Sequence, residues 1–164
     1  MGELKIRNVL PDDLNDVAQI EAICFPPAEA APRNILMERI SVFPKGFFVA
    51  ELNHAIIGLI NGGVTNEDRI KDEFFKNMDF HTPNGDNIII FGLDVHPSYQ
   101  RKGYAKELMM HFIESAKKDG RKKVLLTCKE HLVKYYEQFG YINQGLSASA
   151  HGGAKWYDMY LEME

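Results

Sequence analysis

Positive charge is not in excess in this chain: 19 Lys and Arg stand against 23 Asp and Glu, for a net charge of -4. The non-specific grip on nucleic acid that a basic surface provides is therefore not expected. Long apolar runs are missing too, since stretches such as Ile88-Ile89-Ile90-Phe91 fall far short of the roughly 20 residues that cross a bilayer. Cysteine is scarce. Cys24 and Cys128 stand far apart, with neither metal-ligand spacing nor a disulfide framework, which fits a reducing compartment and predicts a cytoplasmic protein. The start, Met1-Gly2-Glu3-Leu4-Lys5-Ile6-Arg7, has charges where a signal peptide needs its apolar stretch, and Ile6 where a myristoylation motif needs Ser or Thr; no targeting segment is expected. Neither the GxxxxGK loop nor GxGxxG occurs, which argues against nucleoside triphosphates and dinucleotides. His54, His81, His111 and His131 lack ligand spacing, so no metal is expected.

What is present suits one ordinary domain, read over residues 1–164: the chain has 164 residues, of which 45% are apolar, enough for a buried core. Small molecules are the expected partners. No linker, repeat or low-complexity stretch interrupts it. A first strand around Leu4 and Ile6 is followed, after Pro11-Asp12-Asp13, by a helix with Leu14, Val17, Ile20, Glu21 and Cys24 along one side. Phe25-Pro26-Pro27 ends it, and Pro32 opens a second helix carrying Ile35, Leu36, Arg39 and Ile40. Phe47 to Leu52 and Ala55 to Ile60 form a predicted hairpin about Asn53-His54, ended by Gly62-Gly63. A polar excursion with Ile70, Phe74 and Met78 at fourfold spacing allows a short helix before the turn at Pro83-Asn84-Gly85. A strand from Asn87 to Val95 leads to the clearest helix, with Ala105, Leu108, Met109, Phe112, Ile113 and Ala116 on one stripe. Lys122 to Cys128 is a strand, Leu132 to Phe139 a short helix stopped by Gly140, and two closing strands flank Gly152-Gly153. Two strand-helix-strand units between residues 87 and 141 predict neighbouring parallel strands beside the antiparallel hairpin.

Gln100-Arg101-Lys102-Gly103-Tyr104-Ala105-Lys106 feeds the N-terminus of the clearest helix. Free backbone N–H groups and the positive helix end suit a diphosphate there, and Gly103 and Ala105 let it approach the main chain. The segment resembles the acetyl-CoA pyrophosphate motif of the GNAT N-acetyltransferase superfamily, in which Gln or Arg is followed after two residues by Gly and, one further on, by Gly or Ala. Leu93-Asp94-Val95 before it matches the family's strand. Tyr135-Tyr136-Glu137-Gln138-Phe139-Gly140-Tyr141 resembles a second family marker. A closer resemblance, to the arylalkylamine (serotonin-type) N-acetyltransferase branch, lies in Val124 to Tyr136 and Ile20 to Phe25; the branch's two strand histidines are replaced here by Ile89 and Phe91.

The resemblance implies an α/β GNAT fold, a mixed, mostly antiparallel sheet of about seven strands flanked by four to five helices. It also implies an enzyme moving an acetyl group from acetyl-CoA to a primary amine, such as a small arylalkylamine or polyamine. Tyr136 matches the residue that protonates the departing thiolate; Tyr135 is expected to pack. Backbone groups of Leu93 and Val95 would meet the pantetheine and developing oxyanion, and Gln100 to Lys106 the pyrophosphate, with charge from Arg101, Lys102 or Lys106. Gly92 marks either a bulge that opens the cleft or a packing contact. Phe25 to Pro32 would wall an apolar acceptor pocket, with Phe91 nearby. The base stays open among Glu21, Glu51, Asp94, His151 and a water chain, because alternation does not decide which face Asp94 takes. A non-catalytic acyl-CoA sensor and a protein N-terminal or lysine acetyltransferase are the alternatives, and the resemblance allows a homodimer.

Overall fold

The computed structural model describes residues 3–163; Met1 and Gly2 of the N-terminal reading lie outside them. β1 (Leu4–Asn8) runs through a short 3-10 turn at Pro11–Asp13 into α1 (Leu14–Cys24), and α2 (Arg33–Val42) follows the proline loop. Asp13 secures this corner. It accepts from Arg7 Nη1 and Nη2 at 2.8 and 3.1 Å and from the Leu10 N–H at 2.7 Å. The hairpin of β2 (Phe47–Leu52) and β3 (Ala55–Thr65) turns through Asn53 and His54, at φ 52° and 67°, the paired positive φ of a tight hairpin turn.

β3 does not end at Gly62-Gly63 as the sequence suggests. It continues to Thr65 because these positions have no room for side chains: a β-carbon on Gly62 would lie 2.0 Å from the Ile89 carbonyl, and one on Gly63 2.7 Å from Phe80. The excursion after it holds only a 3-10 turn at Asp72–Phe75, with Ile70, Phe74 and Met78 buried. β4 (Asn87–Val95), α3 (Tyr104–Lys118), β5 (Lys123–Cys128), α4 (Val133–Glu137), β6 (Ile142–Leu146) and β7 (Tyr157–Glu162) complete the chain.

The seven strands form one sheet in the order β1-β2-β3-β4-β5-β7-β6. Among the described residues only β4 and β5 are parallel neighbours; the second expected parallel pair does not form because β7 inserts antiparallel between β5 and β6. α1 and α2 cover one face, where Val17, Ile20, Leu36 and Ile40 pack on Phe47, Val49 and Leu59. α3 covers the other, burying Leu108, Met109, Phe112 and Ala116 against Phe48, Ile60, Ile88 and Ile90. Each large apolar side chain so buried contributes about 1.5–3 kcal/mol. Among the described residues there are four α-helices, and no helix is long and apolar enough to cross a membrane.

Candidate active site

β4 and β5 diverge. They pair only from Asn87↔Lys123 to Ile89↔Leu125, after which β4 bends away through a bulge at Phe91: Gly92 pairs with Asn61 of β3, and Ile90 with Gly62. The bulge thus falls beside Gly92, one residue from the position the sequence offers. Beyond it, the His96 N–H donates to the Ile57 carbonyl at 2.8 Å. Antiparallel bonding alternates by two residues, so Asp94 faces Leu59 in the ladder while the main-chain groups of Leu93 and Val95 point away from β3 into the gap.

Into that gap opens a cavity of about 280 Å³. Gly92 and Leu93 line it from β4, Thr127 and Cys128 from β5, and Tyr136 from α4. Phe25, Pro32 and Phe91, expected at the acceptor pocket, all line it. The loop after α1 closes over it, tied to the end of β5 by an ion pair of 2.9 Å between Glu29 and Lys129. His151, stacked on Phe75 with ring centroids 4.3 Å apart, sets its Nε2 3.0 Å from the Glu29 carbonyl. Trp156 completes that wall.

Tyr136 reaches the cavity with a hydroxyl that bonds to no other described side chain. Burial first, and then Cys128, Tyr135 and Asp94, push its ionisation well above the ordinary phenol range, so it stays protonated. Burial also pushes Cys128 up to about 11, which leaves that thiol a weak nucleophile at neutral pH. Tyr135 packs as expected, edge-on to Tyr136 and Phe139.

The expected phosphate loop lies beyond Val95, and none of its residues lines the cavity. Arg101 and Gly103 adopt left-handed φ of 63° and 87°, and α3 begins at Tyr104 with no side chain capping its free N–H groups. Arg101, Lys102 and Lys106 are exposed, and Tyr104 and Ala105 are half-buried. Two details go beyond the expectation, which assigned Gln100 a backbone contact. The Gln100 side chain turns inward, donating from Nε2 to the Val95 carbonyl at 2.9 Å, and Cys24 Sγ approaches the same oxygen at 3.3 Å. That carbonyl is therefore engaged within the protein, and only the Val95 N–H remains for a ligand.

Of the candidate bases, Glu51 is not at the site, for it pairs with Arg7 on the β1 side of the sheet. Glu21 and His151 line the cavity. Asp94 lies just beneath it on the α1 face, 1% exposed, and is held well above the ordinary carboxyl range by burial and then by Glu21. Arg39, read from the sequence only as part of a helical stripe, also lines the cavity, its guanidinium 3.8 Å from the Phe91 ring centroid. The available signal was a charge inside an otherwise apolar stripe. Among the described residues no cluster of His, Cys, Asp or Glu is arranged to hold a metal.

The sequence model of the acetyltransferase (GNAT) family matches residues 14–141. The chain belongs to the GNAT acetyltransferase family. Curated relatives include the uncharacterized N-acetyltransferase YkwB of Bacillus subtilis strain 168, 27% identical over 119 residues, covering 65% of this chain and 52% of that protein. The probable hydrolase YhcX of the same organism is 29% identical over 109 residues, 60% of this chain but 21% of its own length. This chain therefore spans about half or less of those relatives. Among solved GNAT folds, the loading GNATL domain of CurA from Lyngbya majuscula superposes with TM-score 0.84 at 15% identity, covering 98% of each chain. The GphF GNAT-like decarboxylase in complex with isobutyryl-CoA gives 0.82 at 17%, over 98% of this chain and 100% of that one. YncA of Salmonella typhimurium, a putative acetyltransferase solved with acetyl-CoA, gives 0.72 at 16%, over 98% and 94%. At these identities the likeness is one of fold.

Proposed function

We propose that this chain transfers an acetyl group from acetyl-CoA to the primary amine of a small molecule, an arylalkylamine or a polyamine, with Tyr136 as the acid. The observation that carries the reading is the placement of Tyr136 on a cavity at the divergence of β4 and β5, where Leu93 turns its main-chain groups away from β3. A CoA thioester fits these features. The uncapped start of α3 and the left-handed turn at Arg101 and Gly103 suit its diphosphate, and nothing lies within 4 Å of where a Gly103 β-carbon would stand. The binding of acetyl-CoA by YncA and isobutyryl-CoA by GphF supports the same ligand class.

Bound acetyl-CoA supplies an acyl carbon activated as a thioester. Leu93 and Val95 N–H groups would stabilise charge on the acyl oxygen, and the protonated Tyr136 would donate to sulfur as the C–S bond breaks. The apolar wall of Phe25, Pro26, Pro32 and Trp156, with the Glu29–Lys129 tie across it, favours a compact acceptor over a protein chain. The serotonin-type branch remains part of the proposal only in outline, since Ile89 is buried in the core and Phe91 is a cavity wall. A homodimer would use the exposed β6 edge, where Ile142 and Leu146 face out.

The test is thiol release from acetyl-CoA across a panel of arylalkylamines, polyamines, amino acids and short peptides. Tyr136→Phe is expected to lower kcat by about 100-fold while leaving CoA affinity within twofold, as fits loss of a general acid. Binding of CoA without thiol release from any amine would move the protein to the sensor class.

A further inference from the structure

The polar groups packed under β4 are unevenly satisfied. Arg39 Nη1 donates to Asn61 Oδ1 at 3.1 Å, which fixes the amide so that Asn61 Nδ2 faces Gly92. That nitrogen, Glu21 Oε1 and both oxygens of Asp94 are sealed from solvent and have no partner among the described residues. They surround one spot: a β-carbon on Gly92 would lie 3.1 Å from Asp94 Oδ1, 3.7 Å from Glu21 Oε1 and 3.8 Å from Asn61 Nδ2. The missing side chain of Gly92 is what lets the two carboxyls converge.

Two carboxylates this close and this dry do not both ionise, because each charge opposes the other and neither is solvated. Arg39, itself drawn down to about 10 by its burial, balances one negative charge. A single proton on the carboxyl pair makes the cluster neutral and supplies one O–H donor between them. The two members differ in access. Glu21 lines the cavity, and its Oε2 accepts from the Ala31 N–H at 2.9 Å in the loop that walls it; Asp94 stays behind.

We propose that Glu21 and Asp94 hold one proton between them and receive the proton of the acceptor's ammonium, Glu21 as the catalytic residue at the cavity and Asp94 as the positioning residue behind it. The inference rests on the amine-acetylation reading above. The ammonium N–H bond breaks, its electron pair stays on nitrogen, and the proton passes to the pair, which then holds two. The freed nitrogen bonds to the acyl carbon as the C–S bond breaks, sulfur takes the Tyr136 proton, and the second proton shed by nitrogen refills the phenolate. The pair returns its extra proton to solvent with product release. The charged or titratable groups facing the pair from neighbouring elements are Cys24 on α1, Arg39 on α2 and Tyr136 on α4, with Glu38 acting on Arg39.

Infrared difference spectroscopy on the purified chain, without amine, reads the proton directly. A protonated-carboxyl band is expected at neutral pH and is lost in both Asp94→Asn and Glu21→Gln. Absence of the band in the unaltered protein, or its survival in both variants, overturns the shared proton. In turnover, Glu21→Gln is expected to lower kcat by about 100-fold or more with CoA affinity kept. Asp94→Asn costs less in kcat with CoA affinity also kept, and its loss of the carboxyl band separates positioning from a merely structural role. Unaltered kinetics in both variants overturns the catalytic role. If no amine is acetylated at all, the function fails while the band still decides the pair.

Discussion

Gly103 stands at φ 87° with open space where a side chain would project. Gly103→Val therefore meets no clash within the protein, and its costs are a left-handed backbone, about 1–2 kcal/mol, and a bulky group over the first N–H groups of α3. CoA affinity measured by calorimetry is expected to fall about tenfold or more, a loss of at least 1.4 kcal/mol. Wild-type affinity in this variant would remove the diphosphate from the loop. The glycine spacing was legible because backbone conformation limits which residue can stand there. The inward turn of Gln100 was not, since it depends on a Val95 carbonyl left without a β5 partner. Glu21 and Arg39 were visible as charges in apolar stripes, but not as neighbours of Asp94 and Phe91, because only the packing of α1 and α2 on the sheet brings them there.

At the scale of elements, the corner between β1 and α1 depends on one carboxylate. Arg7 holds Asp13 below the usual carboxyl range, with the Leu10 N–H adding to the effect. A group depressed in the folded state contributes stability above its unfolded pKa of about 3.9 and loses it as pH falls through the folded value. Asp13→Asn is accordingly expected to cost about 2 kcal/mol at pH 7 in urea unfolding. The gap to the unaltered protein should narrow below about pH 4; a gap independent of pH would mean that packing, not charge, fixes the corner. The hairpin, β4 and α3 were readable because local signals agree: turn residues at Asn53-His54, an apolar run, and a 3.6-residue stripe. The extension of β3 was not, because Gly62 and Gly63 mark a close approach of Ile89 and Phe80 instead of a stop. Nor was the position of β7, since adjacency in sequence favours β6 beside β5 and only the long return through the last loop allows the insertion.

Across the whole molecule, the sheet is two blocks, β1 to β4 and β5-β7-β6, joined between β4 and β5 only along Asn87 to Ile89. Past that seam, main-chain groups of β4 and β5 face one another without a ladder. A ligand carrying amides of its own, as a CoA thioester does, would be tied to both blocks. Hydrogen exchange is expected to slow at Leu93 and Val95 when CoA is added, in addition to the start of α3. Protection confined to residues 103–106 would keep the ligand out of the seam. The same geometry couples melting to occupancy: a ligand at 100 times its Kd adds about 2.7 kcal/mol to the folded state. An interrupted sheet of this kind has part of its tensile continuity outside the polypeptide, so the force and temperature at which the two blocks part should track thioester concentration.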